Sequence, residues 1–194
     1  MRGLPGAGAG WPCAGVVGAM SVHRKVCILG EFGVGKTSLV ARYVSSIFSE
    51  KYHTTVGVKI DKKELLVDGR PVTLVLWDLA GESAVSRLKT TLVHGASGFL
   101  LVADGTRLET LHTAVRLKKE VDAILGVNVP FVFVVNKVDL AEQWEIDGGD
   151  LEELRLAGWD VRSSSAKTGE GVDQMFSDLA ARLLPGEEDL LGKL

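Results

Sequence analysis

Residues 30 to 38 read GEFGVGKTS, between the apolar run RKVCIL at 24 to 29 and a segment from Lys36 onward with helically spaced apolar residues. A strand, a glycine-rich turn and a helix start in that order, holding G-x-x-x-x-G-K-[ST], leave few folds open. Gly30 and Gly35 let the backbone curl until successive N–H groups face one anion, and the helix N-terminus adds partial positive charge. Lys36 is long enough to reach the outer phosphates of a nucleotide, and the Thr37 hydroxyl is of the type that ligates Mg²⁺. The bland alternative is a structural corner, which the flanking elements make the weaker reading. The loop alone does not choose between ATP and GTP.

Strand-like runs recur at Lys25 to Leu29, Val58 to Val67, Val72 to Trp77, Gly98 to Ala103, Phe131 to Val135 and Trp159 to Arg162. Most alternate with helical patterns, which calls for parallel strands joined by crossovers and covered on both faces. Val58 to Val67 and Val72 to Trp77 differ, because DGR joins them as a tight hairpin and Asp-Gly supplies the positive φ angles such turns need. The expectation is an α/β fold: a mostly parallel six-stranded sheet with one antiparallel edge strand and helices on both faces. FVFVV and FLLVA are apolar throughout, as doubly covered strands should be. A last helix over about Gly171 to Leu184 places Val172, Met175, Phe176, Leu179 and Leu183 on one stripe, which reads as core.

With 194 residues, 46% of them hydrophobic, the chain fits one domain with a proper core. Residues 1–22 read as a disordered Gly/Ala-rich extension, 23–185 as the domain, and 186–194 as a short acidic tail. A signal peptide is the other reading of the start, and its glycines break any continuous apolar stretch. A formal net charge of −3 gives no broad attraction to nucleic acid or anionic lipid. No run of apolar residues is long enough to span a membrane, and neither a C-terminal lipidation cysteine nor a polybasic run is present. Two cysteines, Cys13 and Cys27, suit a reduced, cytoplasmic location.

The base is chosen by NKVD, residues 136 to 139, directly after the strand FVFVV at the sheet end where ligands collect in doubly wound folds. Asp139 can accept from the N1–H and exocyclic amine of guanine, a pair adenine cannot supply. Asn136 and the stem of Lys137 can hold the base from the side and face. SSSAK, with Ser165, Ala166 and Lys167, follows the next strand and can offer a backbone N–H to the guanine carbonyl. Either tetrapeptide alone is a plausible surface turn. Their order after the phosphate loop makes that reading weak.

Through GEFGVGKTS, TTVGVKI, WDLAGE, NKVD and SAK the chain resembles the Ras superfamily of small GTPases, in its Rab-like branch, over about residues 24 to 184. The resemblance implies a P-loop NTPase small G-domain that binds GTP or GDP with Mg²⁺. Gly30, Gly33, Val34, Gly35, Lys36, Thr37 and Ser38 are then the phosphate cradle. Thr55, nineteen residues after Lys36, ligates Mg²⁺ in the first switch together with Thr37, and Asp78 does so through water. Phe48 packs edge-on near the guanine, Tyr52 lies over the phosphates, and the Gly81 amide contacts the γ-phosphate. Lys36, Thr55, Gly81 and Glu82 are the catalytic set. The partners it implies are effector, exchange-factor and activating proteins that read the switch regions. The charge balance leads us to expect no nucleic acid, and the lack of a lipidation signal no intrinsic membrane anchor, unlike many relatives.

Two positions depart from the pattern. Where the superfamily usually has a glutamine that orients the attacking water, this chain has Glu82, which when ionised only accepts hydrogen bonds. At about 4 Å and an effective dielectric near 20, one like-charge pair costs at most about 4 kcal/mol, or about three decades of rate. A protonated Glu82 recovers the donor and acceptor of glutamine. It is otherwise a solvent-facing residue whose work a partner does, or an ordinary exposed switch residue. Phe32 stands where a small or polar residue often faces the γ-phosphate, and its ring fills the route of an arginine finger. Tyr52 occupies the position of a cis arginine in larger relatives, and Arg87 is near only in sequence. Slow intrinsic hydrolysis and insensitivity to finger-type activators are expected. The alternative is a GTP-loaded binding or scaffold module; an ATP-dependent transport or kinase domain conflicts with NKVD.

Overall fold

The computed structural model describes residues 22–49, 55–81, 90–125 and 129–184. Its sheet is built from β1 (Val22–Gly30), β2 (Val58–Val67), β3 (Arg70–Leu79), β4 (Gly98–Asp104), β5 (Phe131–Asn136) and β6 (Val161–Ser163), in the order β2-β3-β1-β4-β5-β6. Among the described strands only the β2–β3 pair is antiparallel, and β2 is one of the two edge strands, with β6 the other. The hairpin closes with Val67 opposite Arg70, and both turn residues have positive φ, 49° at Asp68 and 74° at Gly69. That two-residue turn matches the twist of the strands it joins.

The period-2 alternation of the strands divides the core in two. Val26 and Ile28 of β1, Leu100 and Val102 of β4, and Val132 and Val134 of β5 pack with helices α1 (Lys36–Ser45) and α5 (Val172–Arg182). Their neighbours Cys27, Leu29, Phe99, Leu101, Phe133 and Val135 pack with α2 (Thr90–Val93), α3 (Leu108–Leu125) and α4 (Gly148–Leu156). The stripe on α5 is buried from Val172 to Leu183, and Phe176 stacks on Tyr43 of α1 at 4.1 Å between ring centroids. Burial pushes the Cys27 thiol up to about 11 against the pull of Lys25, so it stays protonated and unreactive near neutrality.

Most predicted strands extend slightly further than their apolar cores. Trp159 is the exception: the last strand begins two residues later, at Val161. Its ring packs edge-on against Phe131 and Phe133, with centroids 5.2 and 5.6 Å away. The residue reads as strand because it is a large apolar side chain, yet it packs against the start of β5 from outside the sheet's hydrogen-bonded strands. No helix among the described residues is long and apolar enough to cross a membrane.

Because β1, β3, β4, β5 and β6 run parallel, their carboxyl ends open on one edge of the sheet. β1 lies between β3 and β4, so the chain crosses to opposite sides after it. A crevice at such a switch point is where this topology takes its ligands.

Candidate nucleotide-binding site

One cavity of about 390 Å³ lies along that edge, and its wall joins the two motif groups. Gly33, Gly35, Lys36, Thr37 and Ser38 line it from the loop after β1 and the start of α1. Phe48, Thr55 and Gly81 line it from the segments flanking β2 and β3, and Asn136, Lys137, Asp139, Ala166 and Lys167 from the loops after β5 and β6. Gly30, Val34, Asp78 and Ser165 are buried behind the lining rather than on it. Tyr52, Glu82 and Arg87 lie outside the described residues.

The phosphate loop is shaped by contacts that its motif requires. Gly30 has φ 152° and would place a Cβ 2.3 Å from the Val102 carbonyl oxygen, while Gly35 has φ 97° and caps α1 in the left-handed region. Among the described residues no side chain caps α1 at its start, so its N-terminal end carries the partial positive charge that attracts an anion. Lys36 Nζ, buried, donates to the carbonyls of Gly30 and Glu31, each at 2.9 Å. The ammonium thus bridges the mouth of the loop beside the cavity.

Three oxygens converge below it. Thr37 Oγ1 lies 2.5 Å from Asp78 Oδ2 and 2.6 Å from Thr55 Oγ1, and the Thr55 hydroxyl lies 3.3 Å from Asp78 Oδ2. Asp78 is 0% exposed, and among the described residues its Oδ1 has no hydrogen-bond partner. Burial pushes this carboxyl above the usual range, although hydrogen bonds from Thr37 and Thr55 and the charges of Lys36 and Lys59 pull the other way. A buried carboxylate oxygen left without a partner is costly. Two hydroxyls and that carboxylate form the oxygen-only donor set that a hard divalent cation takes, so the residues fit Mg²⁺.

At the other end Asn136, 2% exposed, ties three loops together. Its Nδ2 donates to the Val34 carbonyl at 2.8 Å, and its Oδ1 accepts from the Ala166 N–H at 3.1 Å and the Ser164 hydroxyl at 3.4 Å. The side chain expected at the side of the base is thus occupied by protein, as is the Ala166 N–H. Ser165 Oγ donates to Asp139 Oδ1 at 2.5 Å and steadies that carboxylate. Lys137 has φ 70°, a left-handed conformation uncommon outside glycine.

Several supporting residues had no motif to announce them. Arg42 on α1 donates through Nε to the Ala166 carbonyl at 2.9 Å and through Nη2 to the Lys167 carbonyl, and its guanidinium lies 5.9 Å from the Phe48 ring centroid. Glu31 accepts from the Thr113 hydroxyl at 2.7 Å, anchoring the phosphate loop to α3. Asp104, at the carboxyl end of β4, accepts from Lys137 Nζ at 2.5 Å, Arg107 Nε at 3.1 Å and Thr106 Oγ1 at 2.8 Å. An acid ending an otherwise apolar parallel strand, on the ligand edge, was the one available signal.

Burial works to raise the Asp104 carboxyl, but Lys137 and Thr106 outweigh it and hold the group below the usual range. A carboxyl depressed in the folded state stabilises fully above its unfolded pKa of about 3.9 and loses that contribution as pH falls through the folded value. Asp104→Asn is therefore expected to lower the thermal midpoint at pH 7, with the gap to the unaltered protein closing below about pH 4. Thermal unfolding of both proteins across that range checks it; a gap that does not narrow as pH falls below about 4 removes the ionic contribution.

Residues 25–185 match the Ras family. The chain is similar to the Ras-related protein Rab-21 of Geodia cydonium, 36% identical over 165 residues that cover 84% of this chain and 72% of the relative. It is 32% identical over 182 residues to the Ras-related protein Rab-21 of Bos taurus, covering 93% of this chain and 80% of that one. With the Ras-related protein Rab-7a of Dictyostelium discoideum it shares 34% identity over 181 residues, 88% of this chain and 87% of the relative.

Proposed function

Because the chain belongs to the Ras family, as a Rab-like GTP-binding switch of the GTPase class, we propose that its cavity holds GTP or GDP with Mg²⁺ and hydrolyses GTP slowly. The observation that carries this reading is the single cavity shared by the phosphate loop, the Thr37–Thr55–Asp78 cluster and the loop of Asp139. Asp139, steadied by Ser165, takes the Watson–Crick edge of guanine, and Phe48 and the Lys137 stem enclose the ring. The N–H groups from Gly33 to Ser38 and the Lys36 ammonium take the phosphates. Thr37 and Thr55 would hold Mg²⁺ with Asp78 behind them, and the cation would offset charge on the outer phosphates. Thr55 and Gly81 sit at the ends of the two segments that a γ-phosphate would draw in and its loss would release.

Exchange factors, activators and effectors are the partner kinds that such a two-state surface serves, and a cytoplasmic setting suits the reduced cysteine. A GTP-loaded scaffold is the second reading. Phe32, 48% exposed, supports it by lining the cavity at its phosphate end. Chromatography of the nucleotide that copurifies, followed by a single-turnover hydrolysis time course, tests both. GTP or GDP is expected, and ATP overturns the assignment. With Glu82 acting in its protonated form, the rate climbs as pH falls, and Glu82→Gln flattens that dependence while raising the rate at pH 7 by at most about three decades. A profile unchanged in Glu82→Gln removes Glu82 from the chemistry, and a rate near zero at every pH favours the scaffold.

A further inference from the structure

Arg107 grips the phosphate loop from outside the cavity. Its Nη2 donates to the Phe32 carbonyl at 2.9 Å and its Nε to Asp104 Oδ2 at 3.1 Å. Its Nη1 lies 3.8 Å from Glu31 Oε1 and 3.7 Å from Glu109 Oε1. Three carboxylates thus fix the guanidinium with one arm on a single backbone carbonyl, a task for a planar fork rather than a point charge. The Phe32–Gly33 peptide is trans, so the Gly33 N–H points opposite to that carbonyl, away from Arg107. Gly33 lines the cavity. A charge-assisted hydrogen bond on the carbonyl polarises the peptide and strengthens its N–H as a donor. Gly81 packs against the same residue: a Cβ on it would stand 2.4 Å from Phe32 Cα and 2.6 Å from Phe32 N. The main chain of Phe32 is therefore held between Arg107 and Gly81.

We infer that Arg107 is a positioning residue for the terminal phosphate: it sets the Phe32–Gly33 peptide and the wall on which Gly81 closes, favouring a nucleoside triphosphate over the diphosphate. This rests on reading the cavity as a guanine-nucleotide site with Gly81 at the γ-phosphate. At the guanine end Lys137, 2.5 Å from Asp104 Oδ2, shares that oxygen with Arg107, so any change there falls on both nucleotides alike and cancels in their affinity ratio. The Ser165–Asp139 bond at 2.5 Å involves neither Arg107 nor Asp104.

The test compares affinities for GDP and a non-hydrolysable GTP analogue, by displacement of fluorescent GDP from the full chain with Mg²⁺. Arg107→Ala is expected to lower the analogue-to-GDP affinity ratio by about tenfold, with the loss falling mainly on the analogue. Arg107→Lys restores part of the ratio, since an ammonium supplies charge without the fork. Where Arg107→Ala does not fold, Arg107→Gln, which retains an N–H donor without the charge, is read by the same ratio. Equal losses for the two nucleotides, or an unchanged ratio, overturn the assignment of Arg107. An unaltered protein that binds neither nucleotide overturns the underlying reading of the cavity.

Discussion

Asn136→Ala is expected to lose guanine-nucleotide affinity by about a hundredfold or more, and to unfold several degrees below the unaltered protein. The side chain is buried and spans positions 102 and 30 residues away in sequence, at Val34 and Ala166. Truncation leaves a carbonyl of the phosphate loop and an N–H of the loop after β6 without their partner, at about 1–3 kcal/mol each where they stay dry. On the proposed reading of the cavity, the two loops that would enclose opposite ends of the nucleotide then lose their shared bracket, so part of the binding energy goes to holding them in place. Asn136→Asp separates the two halves of the argument. It keeps an acceptor for the Ala166 N–H but sets a carboxylate oxygen against the Val34 carbonyl, so a loss nearly as large is expected. Retention of nucleotide through gel filtration, together with thermal unfolding, reads both variants. Full retention by Asn136→Ala means that the loops are held by other contacts.

How much of this was legible follows from the range of each interaction. The strand at Val58 to Val67 has the same bounds in the sequence reading and in the structure, and Asp68-Gly69 is a turn by its own backbone preference. The alternation that buries Val26 and Ile28 on one face and Cys27 and Leu29 on the other is likewise local. The phosphate loop was readable because Gly30 and Gly35 meet a backbone requirement that few residues can meet. By contrast, Arg42 and Arg107 donate to carbonyls supplied by other elements, Asp104 accepts from Lys137 and Arg107, and none of these contacts imposes a pattern on the sequence of the partner. Asn136 was found through a motif that pointed to the base, and the motif gave no sign that its amide also holds Val34 and Ala166. Phe32 and Gly81 were each singled out for facing the γ-phosphate. That they face each other could be known only from the packing of β1 beside β3.

That packing makes Gly81→Ala the sharper functional experiment. A methyl group there would meet Phe32 Cα at 2.4 Å, its nitrogen at 2.6 Å and its Cβ at 2.9 Å. Two of these atoms are backbone, and Arg107 restrains the carbonyl of the same residue, so the phosphate loop has little freedom to move aside. The segment after β3 must retreat instead, carrying the Gly81 N–H out of reach of a terminal phosphate. The fold loses little, because residue 81 lies beyond the end of β3 and contributes no side chain to either core cluster. The expected result is a thermal midpoint near that of the unaltered protein. GDP affinity should change by less than about threefold, while the affinity for a non-hydrolysable GTP analogue falls by about a hundredfold. Such a separation arises only where Gly81 meets a group present in the triphosphate and missing from the diphosphate. Equal loss of both nucleotides would place the clash on the phosphate loop itself, and Phe32→Gly distinguishes that case. It removes Cβ and the ring while leaving the backbone clash, so it should relieve Gly81→Ala only in part.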